Sequence, residues 1–304
     1  MTAPFLAVDW GTTNLRAWVV GRDGHASPCA EFPLGIGKLE AGEAAQKFTD
    51  TIRPRMDASD LPAVLCGMVG SNLGWTSVPY LDSPVDLHGL HERMYEIPGS
   101  GPPVWIVPGV RCERPDGGPD VMRGEETQVL GWMSLERDRS KGEYLICQPG
   151  THTKWVRLRD GRVHSFVTSM TGEIYDLLTR HSILKTDIAR HDLAAFDAGV
   201  AAAGDGNALA SRLFTTRARV VGGSMDPLSV APYLSGVLIG AEVASTPALL
   251  GIDPCAPITV IGDPSLTRHY MRAMQRRGLT AHAHDGERAG LAGLSALANQ
   301  ILAQ

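Results

Sequence analysis

Short apolar runs, each ending in a cluster of small polar residues, set the rhythm of the chain. Phe5-Leu6-Ala7-Val8 is the first such run and predicts a strand, which stops at the polar turn Asp9-Trp10-Gly11-Thr12-Thr13-Asn14. A second strand is predicted over 15–20, and Arg22-Asp23-Gly24 follows it. Asp-Gly tolerates the positive φ of a tight turn, so a hairpin should lead into a third strand ending near Phe32. The same pattern then returns. Tyr144-Leu145-Ile146-Cys147 ends in Gln148-Pro149-Gly150-Thr151-His152-Thr153-Lys154, a strand over 155–159 runs into Asp160-Gly161, and a third strand covers 163–168. Laying Gly11-Thr12 on Gly150-Thr151, an offset of 139 residues, superposes both polar turns, and both second strands end in Arg-Asp-Gly. The chain is an internal repeat.

Each half continues with alternating strands and helices. In the first, the pattern predicts a helix over 40–56, a strand over 63–66, a long Gly-rich segment, a strand over 104–107 and a helix over 124–135. In the second it predicts helices over 172–181, 206–218 and 227–246, a strand over 258–261, a helix over 264–277, a strand over 279–283 and a last helix over 287–303. Strands alternating with helices define an α/β fold. The polar stretch Glu136-Arg137-Asp138-Arg139-Ser140-Lys141 divides it, giving an expected N-terminal domain over 1–138 and a C-terminal domain over 139–304, with the last helix packing back at the hinge. Gly236 and Gly240, four residues apart in a long apolar helix, read as a site of close helix packing.

Composition narrows the function without choosing it. The 304 residues are 43% hydrophobic and 20% charged, as in an ordinary globular protein. Twenty-eight Lys and Arg against 33 Asp and Glu leave a net charge of −5, with no basic block for a nucleic acid. The five cysteines are scattered, which suits reduced thiols and a cytoplasmic location. The tract from Leu228 to Gly251 contains Pro232 and Glu242, so no membrane span is expected. His282-Ala283-His284-Asp285 lacks a distant third ligand and reads as packed or solvated histidines rather than zinc ligands.

A turn of Gly, Thr and Asn exposes backbone N–H groups and hydroxyls, and Gly lets the chain approach an anion closely. Such turns are also common in plain hairpins, but one in each half suggests a phosphate-bearing ligand held in a cleft. Asp9 stands at a strand end beside one turn, where it could hold Mg²⁺ through water or merely cap its own turn. Neither GxxxxGK[ST] nor GxGxxG occurs in the sequence.

Duplicated halves carrying two such turns resemble the actin, hexokinase and Hsp70 ATPase superfamily at 9–14, at 150–154 and at Val260-Ile261-Gly262-Asp263-Pro264. Within it, the chain is similar to the 2-dehydro-3-deoxygalactonokinase family at Asp9 to Arg16, Cys66-Gly67-Met68-Val69-Gly70-Ser71, Asp120 to Gln128, Pro149 to Trp155, Met170-Thr171-Gly172-Glu173 and Tyr233-Leu234-Ser235-Gly236. The resemblance implies two duplicated ribonuclease H-like domains with an interdomain cleft. It also implies transfer of a phosphoryl group from MgATP to the 6-hydroxyl of 2-dehydro-3-deoxy-galactonate, a small sugar acid. Many superfamily members carry a second glycine at the adenosine turn, where this chain has Asp263.

The roles expected from these residues follow. Gly11, Thr12, Thr13, Asn14, Gly150, Thr151, His152, Lys154, Gly262 and Asp263 would hold ATP, Lys154 by charge and His152 either so or by tying the turn down. Arg123 would fork onto the substrate carboxylate, the alternative being an ion pair with Glu125 or Glu126. Adjacent helical positions differ by about 100°, so one of these two glutamates should face the cleft while the other caps the helix. Related enzymes favour Glu125 as base or as a ligand of a Mg²⁺-bound water, with Asp9 as the metal carboxylate. The Gly-rich loop with Met68, Ser71, Asn72 and Trp75 would line the sugar pocket or form a structural Ω-like loop, and Gly35 would add a wall. A phosphohydrolase of the same superfamily and a non-catalytic sugar-responsive regulator are the other functions considered. A homodimer is left open.

Overall fold

The computed structural model describes residues 3–186, 191–253 and 255–303. Its first half contains strands β1 (Phe5–Trp10), β2 (Leu15–Val20) and β3 (Ala30–Phe32), then helices α1 (Glu43–Lys47) and α2 (Arg53–Arg55). It continues with β4 (Ala63–Gly67), β5 (Leu81–Asp82), α3 (Leu87–Glu92), β6 (Tyr95–Glu96), β7 (Val104–Ile106), β8 (Val110–Glu113), β9 (Pro119–Met122) and α4 (Glu125–Ser134). The second half opens with β10 (Glu143–Gln148), β11 (Thr153–Arg159) and β12 (Arg162–Ser169). Four helices follow: α5 (Thr171–His181), α6 (Leu193–Ala202), α7 (Leu209–Val221) and α8 (Val230–Leu249). It ends with β13 (Ile258–Gly262), α9 (Pro264–Arg276), β14 (Ala281–Asp285) and α10 (Gly286–Leu302).

The two main sheets repeat one topology, β3-β2-β1-β4-β7-β6 in the first half and β12-β11-β10-β13-β14 in the second. In each, the first strand lies between an antiparallel hairpin partner and a parallel strand. This is the duplicated ribonuclease H-like pattern of the actin-like ATPase fold. β1 is apolar on both faces, with Leu6, Val8 and Trp10 in one core and Phe5 and Ala7 in another, as befits a strand covered on both sides. The second of these clusters also contains Val129 and Leu130 of α4, Ile146 of β10 and Leu294 of α10, so it runs between the two sheets.

Helices α4 and α10 cross at this seam, and α10 also packs on β1 and β4 of the first half. The crossing is close because both helices have glycine there. A Cβ at Gly131 would stand 2.1 Å from the Ala289 carbonyl oxygen, and one at Gly293 would stand 2.1 Å from that of Thr127. Gly131→Val is therefore expected to separate the helices and to cost about 2–3 kcal/mol in urea unfolding. An unchanged midpoint would contradict this packing. Similarly, a Cβ at Gly236 of α8 would meet the Phe196 carbonyl oxygen of α6 at 2.1 Å. Among the described residues the stretch Pro227–Leu249 is long and apolar enough to cross a membrane, but 72% of its most apolar window is buried inside the protein, where it serves as a core helix.

Several elements differ from the sequence-based expectation. The helix over 40–56 contains a π turn at Phe48–Ile52, just before Pro54, which has no N–H for the regular ladder. The helix expected over 206–218 is α7, Leu209–Val221, because Asn207 bonds back to both carboxylate oxygens of Asp205 and holds the chain in a turn. β14 begins two residues later than expected, after Gly278 at φ +72° ends α9. The Gly-rich segment holds β5, α3 and β6 instead of being a plain loop, and β5 joins β8 and β9, which lie between β7 and α4, in a three-stranded sheet. Helix α6 was not expected, although Asp192 caps it by accepting from the Ala195 N–H.

Candidate active site

The first strands of both halves end facing one cleft of about 530 Å³. It is lined by Asp9 and Gly11 to Thr13 from the first turn and by Gly150 to His152 from the second. Gly262 and Asp263 close it behind β13, and Arg123, Gly124 and Glu125 enter from the head of α4.

Both turns are braced from behind by a glycine. The N–H groups of Gly35, Ile36 and Gly37 donate to the carbonyls of Thr13, Gly11 and Thr12 at 3.1, 3.0 and 2.9 Å. Because each peptide is trans and planar, the N–H groups of Thr12, Thr13 and Asn14 point the opposite way, off the brace. A Cβ at Gly35 would lie 2.3 Å from the Thr12 carbonyl oxygen, so only glycine fits this brace. Gly172 stands likewise behind the second turn, where a Cβ would meet the Gly150 carbonyl oxygen at 2.5 Å, and the Glu173 N–H donates to the Thr151 carbonyl. Backbone N–H groups turned off a glycine brace are of the kind that can cradle anionic oxygens.

Asp9 ends β1 beside the first turn. Its Oδ1 accepts from the Cys66 thiol at 3.8 Å, and Gln128 of α4 also hydrogen-bonds the carboxylate. Burial pushes its pKa above the ordinary aspartate range, Arg16 pulls the other way and Glu125 adds to the rise. Among the described residues no three His, Cys, Asp or Glu side chains gather into a protein-only metal cage. One carboxylate beside a phosphate cradle fits Mg²⁺, which is commonly held by one or two carboxylates, water and phosphate oxygens.

The two glutamates at the head of α4 part company. Glu125 lines the cleft, with Oε2 accepting from the Arg123 backbone N–H at 3.0 Å. Glu126 is fully buried, and its two oxygens accept from the Gly124 N–H at 2.9 and 2.7 Å while the Thr127 hydroxyl donates to Oε1. Burial, helped by Glu125, pushes its pKa up to about 8. Of the two glutamates weighed for the catalytic role, Glu126 is the one whose carboxyl folds back onto its own helix start, and it is not among the residues that line the cleft.

Arg123 is 8% exposed and lines the cleft. Its guanidinium stacks 4.2 Å from the centre of the Tyr80 ring, and Nη2 donates to the Val78 carbonyl at 2.7 Å. Nε and Nη1 are buried without a hydrogen-bond partner. Glu125 and Glu126 bind backbone N–H groups rather than this guanidinium, so the alternative ion pair does not form. Arg123 is thus a buried cation at the cleft wall with two nitrogens left unpaired.

Lys154, 6% exposed, spends two of its three N–H groups on the Val121 carbonyl and the Thr168 hydroxyl, at 2.9 and 2.8 Å, and still lines the cleft. His152 is hydrogen-bonded to Glu173, which ties the second turn to α5. Asp263 caps α9 by accepting from Ser265, and those hydrogen bonds hold its carboxyl below the usual range. That explains the residue found where related chains have glycine: it starts a helix.

Other expected residues stand elsewhere. Met68 lines the cleft, but Ser71, Asn72, Trp75, Gly35 and Asn14 are not among its lining residues. Ser71 Oγ accepts from the Leu73 N–H and Asn72 is exposed. Trp75 packs against Phe48, its ring centre 5.3 Å away. The stretch 71–75 thus folds on itself outside the cleft lining. His284 packs edge-on against Trp132.

Three features escaped the sequence reading. Gln148 lines the cleft, donating to the Gln128 side chain and the Glu125 carbonyl at 3.3 Å each. It stands 139 residues after Asp9, so the repeat itself could have pointed to it. Gln128 lies one helical turn beyond Glu125. Finally, an apolar pocket of about 380 Å³ touches the cleft at Gly150 and is walled by Tyr175, Phe196, Leu238, Leu266 and Tyr270. Its residues come from four helices, and no linear motif announces it.

Two polar turns at strand ends around one carboxylate, in a duplicated actin-like fold, are the frame of a nucleotide-binding protein. The chain belongs to the 2-keto-3-deoxy-galactonokinase family, whose model matches residues 9–297. It is 37% identical over 305 residues to a protein of Rhizobium meliloti (strain 1021) described as a probable 2-dehydro-3-deoxygalactonokinase, covering 98% of this chain and 97% of that one. It is 36% identical over 307 residues to the 2-dehydro-3-deoxygalactonokinase of Escherichia coli (strain K12), covering 99% of each. A crystal structure from Sinorhizobium meliloti, provisionally assigned to the same activity, superposes with a TM-score of 0.86 at 35% identity over 98% of this chain and 99% of that one.

Proposed function

We propose that the protein phosphorylates the 6-hydroxyl of 2-dehydro-3-deoxy-galactonate with ATP, by in-line transfer across the cleft, in galactonate catabolism. The observation that carries this reading is the convergence of both polar turns, Asp9, Glu125 and the buried Arg123 on one cleft. The phosphohydrolase reading has no use for a buried guanidinium matched to a carboxylate. Residues 1–138 and 139–304 serve as the two arms of the cleft, the first carrying the sugar acid and the second most of the nucleotide.

The triphosphate lies between the turn N–H groups of Thr12 and Thr13 and those of Gly150 and Thr151, with the remaining Lys154 N–H offsetting charge on the transferred group. The base enters the apolar pocket beyond Gly150, against Tyr270 and Leu266. Arg123 grips the keto-acid carboxylate and so aims the far hydroxyl at the phosphates. Glu125 takes the proton of that hydroxyl as it attacks, its carboxylate oriented by the Arg123 N–H. Asp9 would hold Mg²⁺, and the ion would supply charge neutralisation at the phosphate oxygens.

Glu125→Gln should lower kcat by about 10²- to 10⁴-fold with the KM for ATP nearly unchanged. Steady-state kinetics that leave kcat intact would remove Glu125 from the base role. The function itself is tested by a coupled ADP-release assay across aldonates and 2-keto-3-deoxy acids. Turnover should be confined to the keto-deoxy acids, and a preference for plain aldonates would overturn the assignment.

A further inference from the structure

The mechanism leaves one buried acid unused. Glu242, on α8, is 5% exposed and lies beneath the apolar pocket rather than in the cleft. Its Oε1 accepts from Trp155 Nε1 at 2.6 Å and its Oε2 from the Tyr270 hydroxyl at 2.9 Å, and the Thr171 side chain also bonds it. The Tyr270 hydroxyl is in turn 2.7 Å from Thr153 Oγ1, which is fully buried. These partners do not belong to one element. Tyr270 and Thr171 are walls of the apolar pocket, Thr153 is the first residue after the second phosphate turn, and Thr171 precedes the Gly172 that braces that turn.

We infer that Glu242 is a positioning residue for the nucleotide, whose ionised carboxylate locks the base pocket and the second phosphate turn into one hydrogen-bonded unit. This rests on the reading of that pocket and turn as the nucleotide site.

Donor counting gives the direction of the effect. As a carboxylate, Glu242 accepts from Trp155, Tyr270 and Thr171, and Tyr270, whose O–H points at Glu242, accepts from Thr153. Every hydroxyl in the chain then has a partner. Protonation adds a donor where only acceptors are wanted. The carboxyl proton would be given to the Tyr270 oxygen, Tyr270 would donate to Thr153, and the Thr153 proton would lose its acceptor beside the turn. The titratable groups facing Glu242 are Tyr270 on α9 and Cys147 on β10, and burial raises both, so both are neutral near pH 7. Burial pushes Glu242 itself up to about 7, so the switch falls within a physiological range. Nucleotide binding favours the ionised form and weakens as pH falls. By linkage, binding near pH 7 releases a proton.

The test is calorimetric titration of the intact wild-type protein with a non-hydrolysable ATP analogue and Mg²⁺ in buffers of different ionisation enthalpy. Near pH 7 the wild type should release a fraction of a proton on binding, and its affinity should fall as pH drops towards about 6. Glu242→Gln should bind about tenfold more weakly with no proton release, while the KM for the keto acid stays within about twofold. Tyr270→Phe, which cuts the link to Thr153 but keeps the acid, should also weaken nucleotide binding. Wild-type binding without proton release, or unchanged affinity in both variants, overturns the inference and leaves the nucleotide reading intact. A wild-type protein that binds no analogue overturns both.

Discussion

Asp9→Asn should reduce kcat by about 10²- to 10³-fold at saturating MgATP, the size of effect seen when one preorganised electrostatic group is removed from a phosphoryl- or acyl-transfer site. The amide keeps the shape of the side chain and can still accept from Cys66. Folding should not suffer. The native carboxyl has a raised pKa because burial opposes its charge. The folded state therefore binds its proton more tightly than the unfolded chain, and above the unfolded value the charge costs stability. Removing it should leave the melting temperature equal or higher. Circular dichroism and steady-state kinetics on the same sample separate the two effects, and near-wild-type kcat would remove Asp9 from the metal site.

Arg123→Ala should cost about 2–5 kcal/mol in kcat/KM for the keto acid, because the substrate carboxylate would enter a buried position with no counter-charge. The side chain is held by the Tyr80 ring and the Val78 carbonyl, with Nε and Nη1 unsatisfied. The KM for ATP should barely change, since the two turns do not depend on it. Loss of ATP binding with keto-acid affinity preserved would place Arg123 at the phosphates instead.

The architecture was largely legible because duplication doubles every signal. A Gly-Thr turn after a four-residue apolar run says little alone, yet its return 139 residues later points to two related halves, each with its own sheet. That Asp9 and Arg123 line the cleft was legible for a related reason: each stands beside a polar turn or helix start at the end of a strand. Glu125 and Glu126 could be separated only as a pair, since a 100° step says that they diverge but not which one turns inward; the Gly124 N–H decides it by capturing Glu126. What stayed hidden depends on packing between distant elements. Ser71 and Trp75 look like sugar ligands in a Gly-rich loop, but the loop folds on itself and Trp75 goes to Phe48. The apolar pocket is assembled from α5, α6, α8 and α9, whose inward residues look like any helical core until the helices are placed around a gap.

The most direct measurement is nuclear magnetic resonance of the product after the protein is incubated with MgATP and 2-dehydro-3-deoxy-galactonate. The account predicts one new phosphate monoester, coupled to the C6 protons of the sugar acid, formed in a one-to-one ratio with ADP. Inorganic phosphate accumulating beside unchanged sugar acid, or an ester at any other carbon, would contradict it.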